Sequence, residues 1–399
     1  MSMNDTPVAQ RTHIGFFGRR NAGKSSLLNA VTGQDFAVVS SVPGTTTDPV
    51  QKTMELLPLG PVVIIDTPGI DDRGELGEMR VKKAMQMLNR IDIGILTVDI
   101  NEGMSDFDKK LVDAFEKKEI PYIIVYNKAD IYKGEIFEDE KSICVSAEKN
   151  INIVRLKEKI GRLKAGDSGK KITEGLISSG DTALLVTPLD SAAPKGRLIL
   201  PQQQTIRDIL DSDAMAIVTK ETELEKALEN YGDKIKIVIT DSQVFQKVSE
   251  AVPENIPLTS FSILMARYKG FLKNAVRDVK KLDELLENDT ILICEGCTHH
   301  RQCGDIGTVK LPKWLEEYTG KKFQYEFTSG GDFPEDVTKY SMIIHCGGCM
   351  LNEREIRYRM KTADDAGVPF TNYGTVIAFL KGILKRSIEP ISEIKELIK

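Results

Sequence analysis

The chain has 399 residues, of which 41% are hydrophobic and 28% are charged, and at roughly 150 residues per domain this length suggests two or three domains. Such a composition excludes a disordered or collagen-like chain. The 54 basic and 59 acidic residues give a formal net charge of −5. Without a long cationic run, we expect no nucleic-acid partner. The polar first residues, and the lack of any apolar run of about 18 residues, predict a cytoplasmic protein that does not enter a membrane.

The first region, from His13 to about Lys164, alternates short apolar runs with amphipathic helical patterns. Its apolar runs are HIGFFG, VVIID, IGILTVD, YIIVYN and ICVSA, and residues 75–90 and 106–117 have helical patterns. Apolar runs bounded by turn signals are typical of strands buried on both faces of a parallel sheet. The region therefore predicts an α/β domain with a parallel sheet.

Two smaller α/β regions follow a polar, glycine-containing linker at residues 164–171. The first has the apolar runs TALLVTP, AMAIVTK and KIKIVITD, and the second has TILIC, FQYEF and SMIIH. A long amphipathic stretch at residues 262–287 lies between them. The predicted domain boundaries are 1–168, 169–264 and 265–399.

A phosphate-binding pattern, GxxxxGKS, begins directly after the first predicted strand and opens a helix. Glycines allow backbone N–H groups to wrap around phosphate oxygens, and the helix N-terminus favours a negative charge. Lys24 is placed to reach the β- and γ-phosphates, and the Ser25 hydroxyl to bind Mg²⁺. The candidate residues of this phosphate loop are Gly18, Asn21, Ala22, Gly23, Lys24, Ser25 and Ser26.

Later tetrads, each following a strand, identify the nucleotide as GTP. In Asn127-Lys-Ala-Asp130, the Asp130 carboxylate can accept two N–H bonds from guanine, which adenine cannot offer. In Asp66-Thr-Pro-Gly69, the aspartate can support the magnesium ion and the glycine amide can contact the γ-phosphate. The loop at residues 43–48 offers the Thr46 hydroxyl as a second Mg²⁺ ligand. The further candidates in the nucleotide site are Thr46, Asp66, Gly69, Asn127, Lys128, Asp130, Ser146 and Ala147.

In its order of motifs, this region resembles the small GTPases of the Era/TrmE-like branch. Ile70 stands where a Ras-like enzyme carries the glutamine that orients water, so we expect slow intrinsic hydrolysis. The resemblance implies that a downstream glutamate replaces it, with Glu78 the candidate and Glu75 and Asp72 its rivals. It also implies that Asn21 binds a stimulating K⁺, although Asn21 could simply tolerate left-handed loop geometry. The predicted catalytic residues are Lys24, Thr46 and Glu78.

Five of the six cysteines lie in the last third of the chain, which argues for a metal site rather than a disulfide framework. Cys297-Thr-His299 follows one predicted strand, and His345-Cys346-Gly-Gly-Cys349 closes another. If these strands are parallel neighbours, their carboxyl ends meet at one edge of the sheet. Three thiolates suit a 4Fe–4S cluster with an exchangeable fourth position, and the same residues suit tetrahedral zinc.

Two cysteine motifs, CxH and HCxxC, follow the GTPase region, and the segment VTPLDSAAPKGRLILPQQQTIRD lies between that region and the motifs. This arrangement resembles the FeFe-hydrogenase maturation GTPases of the HydF family. The resemblance implies a P-loop GTPase domain, a dimerisation domain and an iron–sulfur domain. It implies a 4Fe–4S cluster bound by Cys297, Cys346 and Cys349, with a labile fourth ligand. That ligand could be His299, His345, a carboxylate or solvent, and the two histidines could instead donate hydrogen bonds to the ligands. It also implies a homodimeric carrier that delivers a diiron precursor to apo FeFe-hydrogenase and works with radical-SAM maturation enzymes.

Two other functions fit the motifs. One is a ribosome- or tRNA-associated GTPase with a C-terminal zinc module, against which the acidic balance argues. The other is a redox-regulated GTPase in which the cluster acts only as a sensor. The roles of Cys294 and Cys303 stay open, although a cysteine that ends an apolar strand is more often a buried small hydrophobe.

Overall fold

The computed structural model describes residues 7–33, 50–56, 59–69, 75–163, 170–188, 198–297 and 305–398. The chain divides into two compact units, one formed by Thr6–Ser168 and the other containing Gly169–Lys399. Each is an α/β unit, as the sequence predicts.

The first unit is a six-stranded sheet in the order β2-β3-β1-β4-β5-β6. All neighbours are parallel except the antiparallel pair β2 and β3. The sheet is buried because its central strands are apolar on both faces, with every residue of β4 buried. The strands are β1 (Thr12–Gly18), β2 (Val50–Leu56), β3 (Gly60–Asp66), β4 (Ile93–Asp99), β5 (Tyr122–Asn127) and β6 (Ser142–Cys144), and the helices are α1 (Lys24–Thr32), α2 (Glu75–Met87), α3 (Asp106–Lys117) and α4 (Ile153–Arg162).

Strand β2 is absent from the sequence-based prediction. Its sequence, VQKTMEL, mixes polar and apolar residues, and exposed and half-buried positions alternate along it. Such alternation is typical of an antiparallel edge strand with one solvated face. A prediction based on continuous apolar runs therefore misses this strand.

The second unit contains two four-stranded parallel sheets. Their orders are β10-β9-β7-β8 and β12-β11-β13-β14, and one hydrophobic core includes residues of both, such as Leu184 and Ile343. The strands are β7 (Thr182–Val186), β8 (Met215–Thr219), β9 (Ile235–Thr240), β10 (Leu258–Ser260), β11 (Thr290–Glu295), β12 (Gln324–Ser329), β13 (Met342–His345) and β14 (Phe370–Asn372). The helices are α5 (Leu200–Leu210), α6 (Leu224–Tyr231), α7 (Phe245–Ala251), α8 (Phe261–Tyr268), α9 (Leu272–Val279), α10 (Leu311–Thr319), α11 (Glu353–Asp365), α12 (Tyr373–Leu380) and α13 (Leu384–Ile388).

The long amphipathic stretch predicted at residues 262–287 is broken into shorter pieces. Helices α8 and α9 are separated at Gly270, whose φ of +82° stops the first helix, and Lys280–Glu284 forms a 3₁₀ turn. The three-residue strands β10 and β14 were also not predicted, because LTS and FTN are too short and too polar to stand out.

Within the described ranges, no helix is both long enough and apolar enough to span a bilayer.

Candidate nucleotide and metal sites

The phosphate loop connects β1 to α1 and depends on backbone conformations that few residues adopt. Asn21 and Gly23 have φ values of +65° and +81°, and Gly23 is the residue that caps α1. A side chain on Gly23 would collide with the amide of Asn127. The glycine therefore serves both the turn and the close approach of a second motif.

Lys24 at the start of α1 meets Asp66 at the end of β3. Both side chains are buried, with exposed fractions of 8% and 7%, and the ammonium contacts the carboxylate directly. Next along the chain, Thr67 donates its hydroxyl to the carbonyl of Phe16 at 2.7 Å. Parallel pairing of β1 with β3 therefore brings the Asp66 motif to the phosphate loop.

Asn127 links three of the predicted motifs through its side-chain amide. Its Nδ2 donates to the carbonyl of Ala22 at 3.1 Å, and its Oδ1 accepts from the backbone N–H of Ala147 at 3.0 Å. Asn127 is 3% exposed, so losing it would leave buried polar groups unpaired. The asparagine thus fixes the loops that carry Asn127 and Ala147 against the phosphate loop.

Lys128 donates its ammonium to Asp99 at 2.6 Å. Burial acts to raise the pKa of Asp99, but the bonds from Lys128 and Asn101 outweigh it and leave that pKa below its ordinary value. Asp99 was not predicted as a site residue. The sequence signal for it is an acid that ends an apolar strand, the same signal that marked Asp66.

Several predicted nucleotide residues are not joined by these contacts. Ser25 and Ser26 are exposed at the start of α1, and Asp130 is half-buried. Ser146 is buried, and its hydroxyl accepts from the backbone N–H of Lys149 at 3.1 Å. Thr46 lies outside the described residues.

The three candidates for orienting the attacking water are Glu78, Glu75 and Asp72. The backbone of Glu78 and of its rival Glu75 belongs to helix α2, and their side chains lie outside the description. Asp72 and Ile70 are also outside the described residues. The role of Glu78 therefore stays a prediction.

The cysteine site lies where β11 and β13 end side by side. These strands are parallel neighbours with Cys294 in register with His345, which meets the condition set by the sequence. The backbone N–H of Cys346 donates to the carbonyl of Cys294 at 2.8 Å. We call residues 346–351 the cysteine loop.

The cysteine loop is held against the residue that precedes Cys297. The backbone N–H of Gly296 donates to Cys346 Sγ at 3.1 Å, and Gly348 donates to the same sulfur at 3.4 Å. A Cβ atom on Gly296 would lie 3.5 Å from Gly348 Cα. The half-buried Cys297 thus follows directly after the point of contact.

Burial raises the pKa of the Cys346 thiol and raises that of Cys349 to about 12. Both thiols are therefore protonated at neutral pH, and a metal would have to displace their protons. Across the described ranges, no group of three or more histidine, cysteine, aspartate or glutamate side chains is close enough to hold a metal ion as it stands.

His345, considered above as a fourth ligand, uses both of its ring nitrogens in the protein. Nδ1 lies 2.8 Å from the carbonyl oxygen of Cys346, which can only accept, so Nδ1 carries the proton. Nε2 then accepts from the Arg359 guanidinium at 3.1 Å. The ring is fully buried, and burial first and Arg359 second lower its pKa to about 3.

The remaining cysteines and His299 divide into two groups. Cys294 and Cys144 are fully buried within strands, and burial raises the pKa of Cys294 to about 12, so both behave as small core residues. His299 and Cys303 lie outside the described residues.

Three family models match consecutive parts of the chain. Residues 13–128 match a model described as a 50S ribosome-binding GTPase. Residues 172–270 match the hydrogen maturase F dimerization domain, and residues 273–390 match the hydrogen maturase F tetramerization domain. The chain matches hydrogen maturase F. It carries a GTPase domain at residues 13–128, followed by both association domains described for hydrogen maturase F.

Two curated relatives match less than half of the chain. The chain is 34% identical over 174 residues to the tRNA modification GTPase MnmE of Desulforamulus reducens, covering 41% of this chain and 35% of the relative. It is 36% identical over 163 residues to the GTPase Der of Wolinella succinogenes, covering 37% of this chain and 34% of the relative. The chain thus spans about a third of the length of these two relatives. A crystal structure of a probable GTP-binding protein engB is similar at 26% identity and a TM-score of 0.32, covering 38% of this chain and 98% of that one.

Proposed function

We propose that the protein is a GTP-hydrolysing scaffold that binds a 4Fe–4S cluster and delivers a diiron precursor to apo FeFe-hydrogenase. The observation that carries this proposal is the pairing of β11 with β13, which places the cysteine loop beside the residue before Cys297. The match to both association domains of hydrogen maturase F supports it.

The nucleotide roles follow from the polar contacts. Lys24 would leave Asp66 for the β- and γ-phosphates, and Asp66 would support the Mg²⁺ ion held by Ser25 and Thr46. Asp130 would accept the N–H groups of guanine, and the backbone of Ala147, fixed by Asn127, would meet the guanine carbonyl. The other phosphate-loop and tetrad residues predicted above would complete the site through their backbone groups.

Hydrolysis would be slow and stimulated by K⁺, with Glu78 orienting the attacking water. Asn21 adopts the left-handed conformation, which suits either a K⁺ ligand or a simple turn residue. Turnover measured in K⁺ and in Na⁺, for the wild type and for Asn21→Ala, distinguishes these roles. Equal turnover in both salts would refute the K⁺ proposal.

The residues at the cysteine site fit an iron–sulfur cluster. Cys346 already accepts two backbone N–H bonds, and such bonds to sulfur are a means by which proteins tune these clusters. Cys297, Cys346 and Cys349 would hold the cluster, and His299, a carboxylate or solvent would take the fourth position. When bound, the cluster would offer an exchangeable iron for the cargo.

The remaining proposals concern organisation and partners. We propose the boundaries 1–168, 169–264 and 265–399 for the GTPase, dimerisation and cluster-binding domains, a homodimer, and a cytoplasmic location. The partners would be apo FeFe-hydrogenase and the radical-SAM enzymes that build the precursor, and GTP would bias contacts with them rather than drive cluster chemistry.

The test is anaerobic purification followed by iron, sulfide and zinc analysis, and then incubation of the loaded protein with apo-hydrogenase. We expect about four irons per chain, hydrogenase activation by loaded wild type, and loss of both in Cys346→Ser. Cys144→Ser is the control, because Cys144 is a buried thiol of the other unit. Zinc in place of iron would instead favour the ribosome- or tRNA-associated alternative, and a cluster without hydrogenase activation would favour the redox sensor.

A further inference from the structure

Two buried cations lie at the two ends of the cysteine loop. Arg359 on α11 is 0% exposed, and Lys269, directly after α8, is 2% exposed. Burying a charged side chain is costly unless its bonds are satisfied. Neither residue belongs to the phosphate-loop, guanine or cysteine motifs, so their positions need a separate explanation.

Arg359 supports the loop where it begins. Its guanidinium donates twice to Glu355 at 2.9 Å and once to the carbonyl of Gly330 at 2.7 Å. Its Nη1 donates to His345 Nε2 at 3.1 Å, and His345 in turn donates to the carbonyl of Cys346. Because Glu355 balances the charge of Arg359, this chain of bonds acts mainly by fixing geometry.

Lys269 supports the loop where it ends. Its ammonium donates to the carbonyl of Leu351 at 2.7 Å, two residues after Cys349. The loop also approaches α8, since a Cβ atom on Gly347 would lie 3.3 Å from that of Met265. Lys269 therefore places a buried positive charge at the last residue of the cysteine loop, close in sequence to Cys349.

We propose that Arg359 and Lys269 are positioning residues that preorganise the cysteine loop for an anionic metal–thiolate cluster. Arg359 acts through His345, which is a support and not a metal ligand, and Lys269 acts through the Leu351 carbonyl. Three thiolates outweigh the positive charge of an oxidised cubane core, and reduction adds a further negative charge. This inference rests on the proposed cluster-binding function.

The first test uses the full-length protein with its cluster reconstituted anaerobically. In Lys269→Met the stem remains and the charge is lost, so reduction becomes less favourable. We expect the reduced-to-oxidised ratio at a fixed potential to fall about tenfold, equivalent to a midpoint potential lower by about 59 mV for one electron. Lys269→Arg should restore most of this, and Lys273→Met is the control, because Lys273 is exposed nearby. A midpoint potential in Lys269→Met equal to the control's would overturn the role of Lys269.

The second test concerns Arg359 and His345. We expect Arg359→Gln to release iron to a chelator about tenfold faster than Arg357→Gln, which alters an exposed arginine of the same helix. His345→Gln can keep both bonds and should leave the electron paramagnetic resonance signal of the reduced cluster unchanged. A changed signal would make His345 a ligand and overturn its supporting role. If Arg359→Gln does not fold, Arg359→Lys serves instead, since it keeps the charge and loses the fork of donors.

Failure of this inference can be distinguished from failure of the proposed function. A wild-type protein that takes up no iron–sulfur cluster refutes the proposed function, and amide exchange of the metal-free protein then tests the support of the loop. Exchange at residues 346–351 about tenfold faster in Lys269→Met than in Lys273→Met supports it, and equal exchange refutes it. If the wild type binds a normal cluster and both Lys269→Met and Arg359→Gln match their controls, this inference is refuted and the proposed function is not.

Discussion

The nucleotide site and the cysteine site are built in different ways. In the nucleotide site, motif residues contact one another, as Asn127 does with Ala22 and Ala147. In the cysteine site, Gly348 of the motif donates to Cys346 Sγ, and two buried cations from outside the motifs also support the loop, through His345 and the carbonyl of Leu351. Contacts between motifs therefore join the first site, whereas the second depends in addition on buried charges outside its motifs.

This difference predicts how damage spreads. A substitution in one nucleotide motif should weaken the others, because they share hydrogen bonds. At the cysteine site, a substitution of either support, Arg359 or Lys269, should weaken the loop even though neither belongs to a cysteine motif. The two sites also lie in separate compact units, so we expect each to lose function without loss at the other.

The largest effect should come from Asp130→Asn, which removes the carboxylate that we propose accepts from guanine. We expect GTP affinity to fall on the order of a hundredfold, as for the loss of a charged pair of hydrogen bonds. Xanthosine triphosphate should bind better than GTP, because the new amide can donate to the xanthine 2-oxo group. Nucleotide binding by calorimetry, with the exposed Asp113→Asn as control, tests this. An unchanged preference for GTP would show that Asp130 does not read the base.

A smaller effect is expected for Asn127→Ala, which leaves a buried N–H of Ala147 without its acceptor. At about 1–3 kcal/mol for such a group, GTP affinity should fall about tenfold to a hundredfold while bound iron stays constant. The control is Asn230→Ala, an exposed position in α6. Loss of iron along with GTP affinity would break the distinction between the two sites.

Self-association is expected to depend on β8, which lies at one edge of its sheet. Met215 and Val218 on this strand are 56% and 43% exposed, and an exposed apolar edge strand favours pairing with another chain. Val218→Lys should weaken the dimer about tenfold or more without unfolding it, as measured by light scattering across a dilution series. Val154→Lys, which alters an exposed residue of the other unit, should leave the dimer intact. If both variants stay dimeric, the contact lies elsewhere.

The smallest expected effect is the pH dependence contributed by His345. Because its pKa is lowered to about 3, the stability it contributes is present above its ordinary value of about 6.5 and is lost as the pH falls. The metal-free protein should lose about 1.5 kcal/mol between pH 6.5 and pH 5.0 through this group. His345→Gln should flatten the dependence in thermal unfolding. The same slope in both proteins would mean that His345 is not held neutral.

Much of the fold could be predicted because apolar runs report buried parallel strands directly. This worked for β4, where every residue is buried. It did not work for β2, whose alternating pattern gives a weaker signal, or for β10 and β14, which have three residues each. The break at Gly270 was missed because the apolar periodicity continues on both sides of it.

The candidate nucleotide residues could be predicted because each motif carries its own ligands close together in sequence. The supports of the cysteine loop could not be predicted. Arg359 and Lys269 resemble surface cations in sequence, and only the packing of α8 and α11 around the loop reveals that they are buried. His345 drew attention through its motif, but its tautomer depends on two partners that only the fold identifies.

The proposed function depends most on Cys297 joining Cys346 and Cys349 around one iron–sulfur cluster. The most direct test is electron paramagnetic resonance of the anaerobically reduced protein, compared with Cys297→Ser. We expect the wild type to give the signal of a reduced 4Fe–4S cluster, and the variant to lose both that signal and most of its iron. A variant that keeps the wild-type signal, or a wild type that holds zinc and gives no signal, would contradict the account.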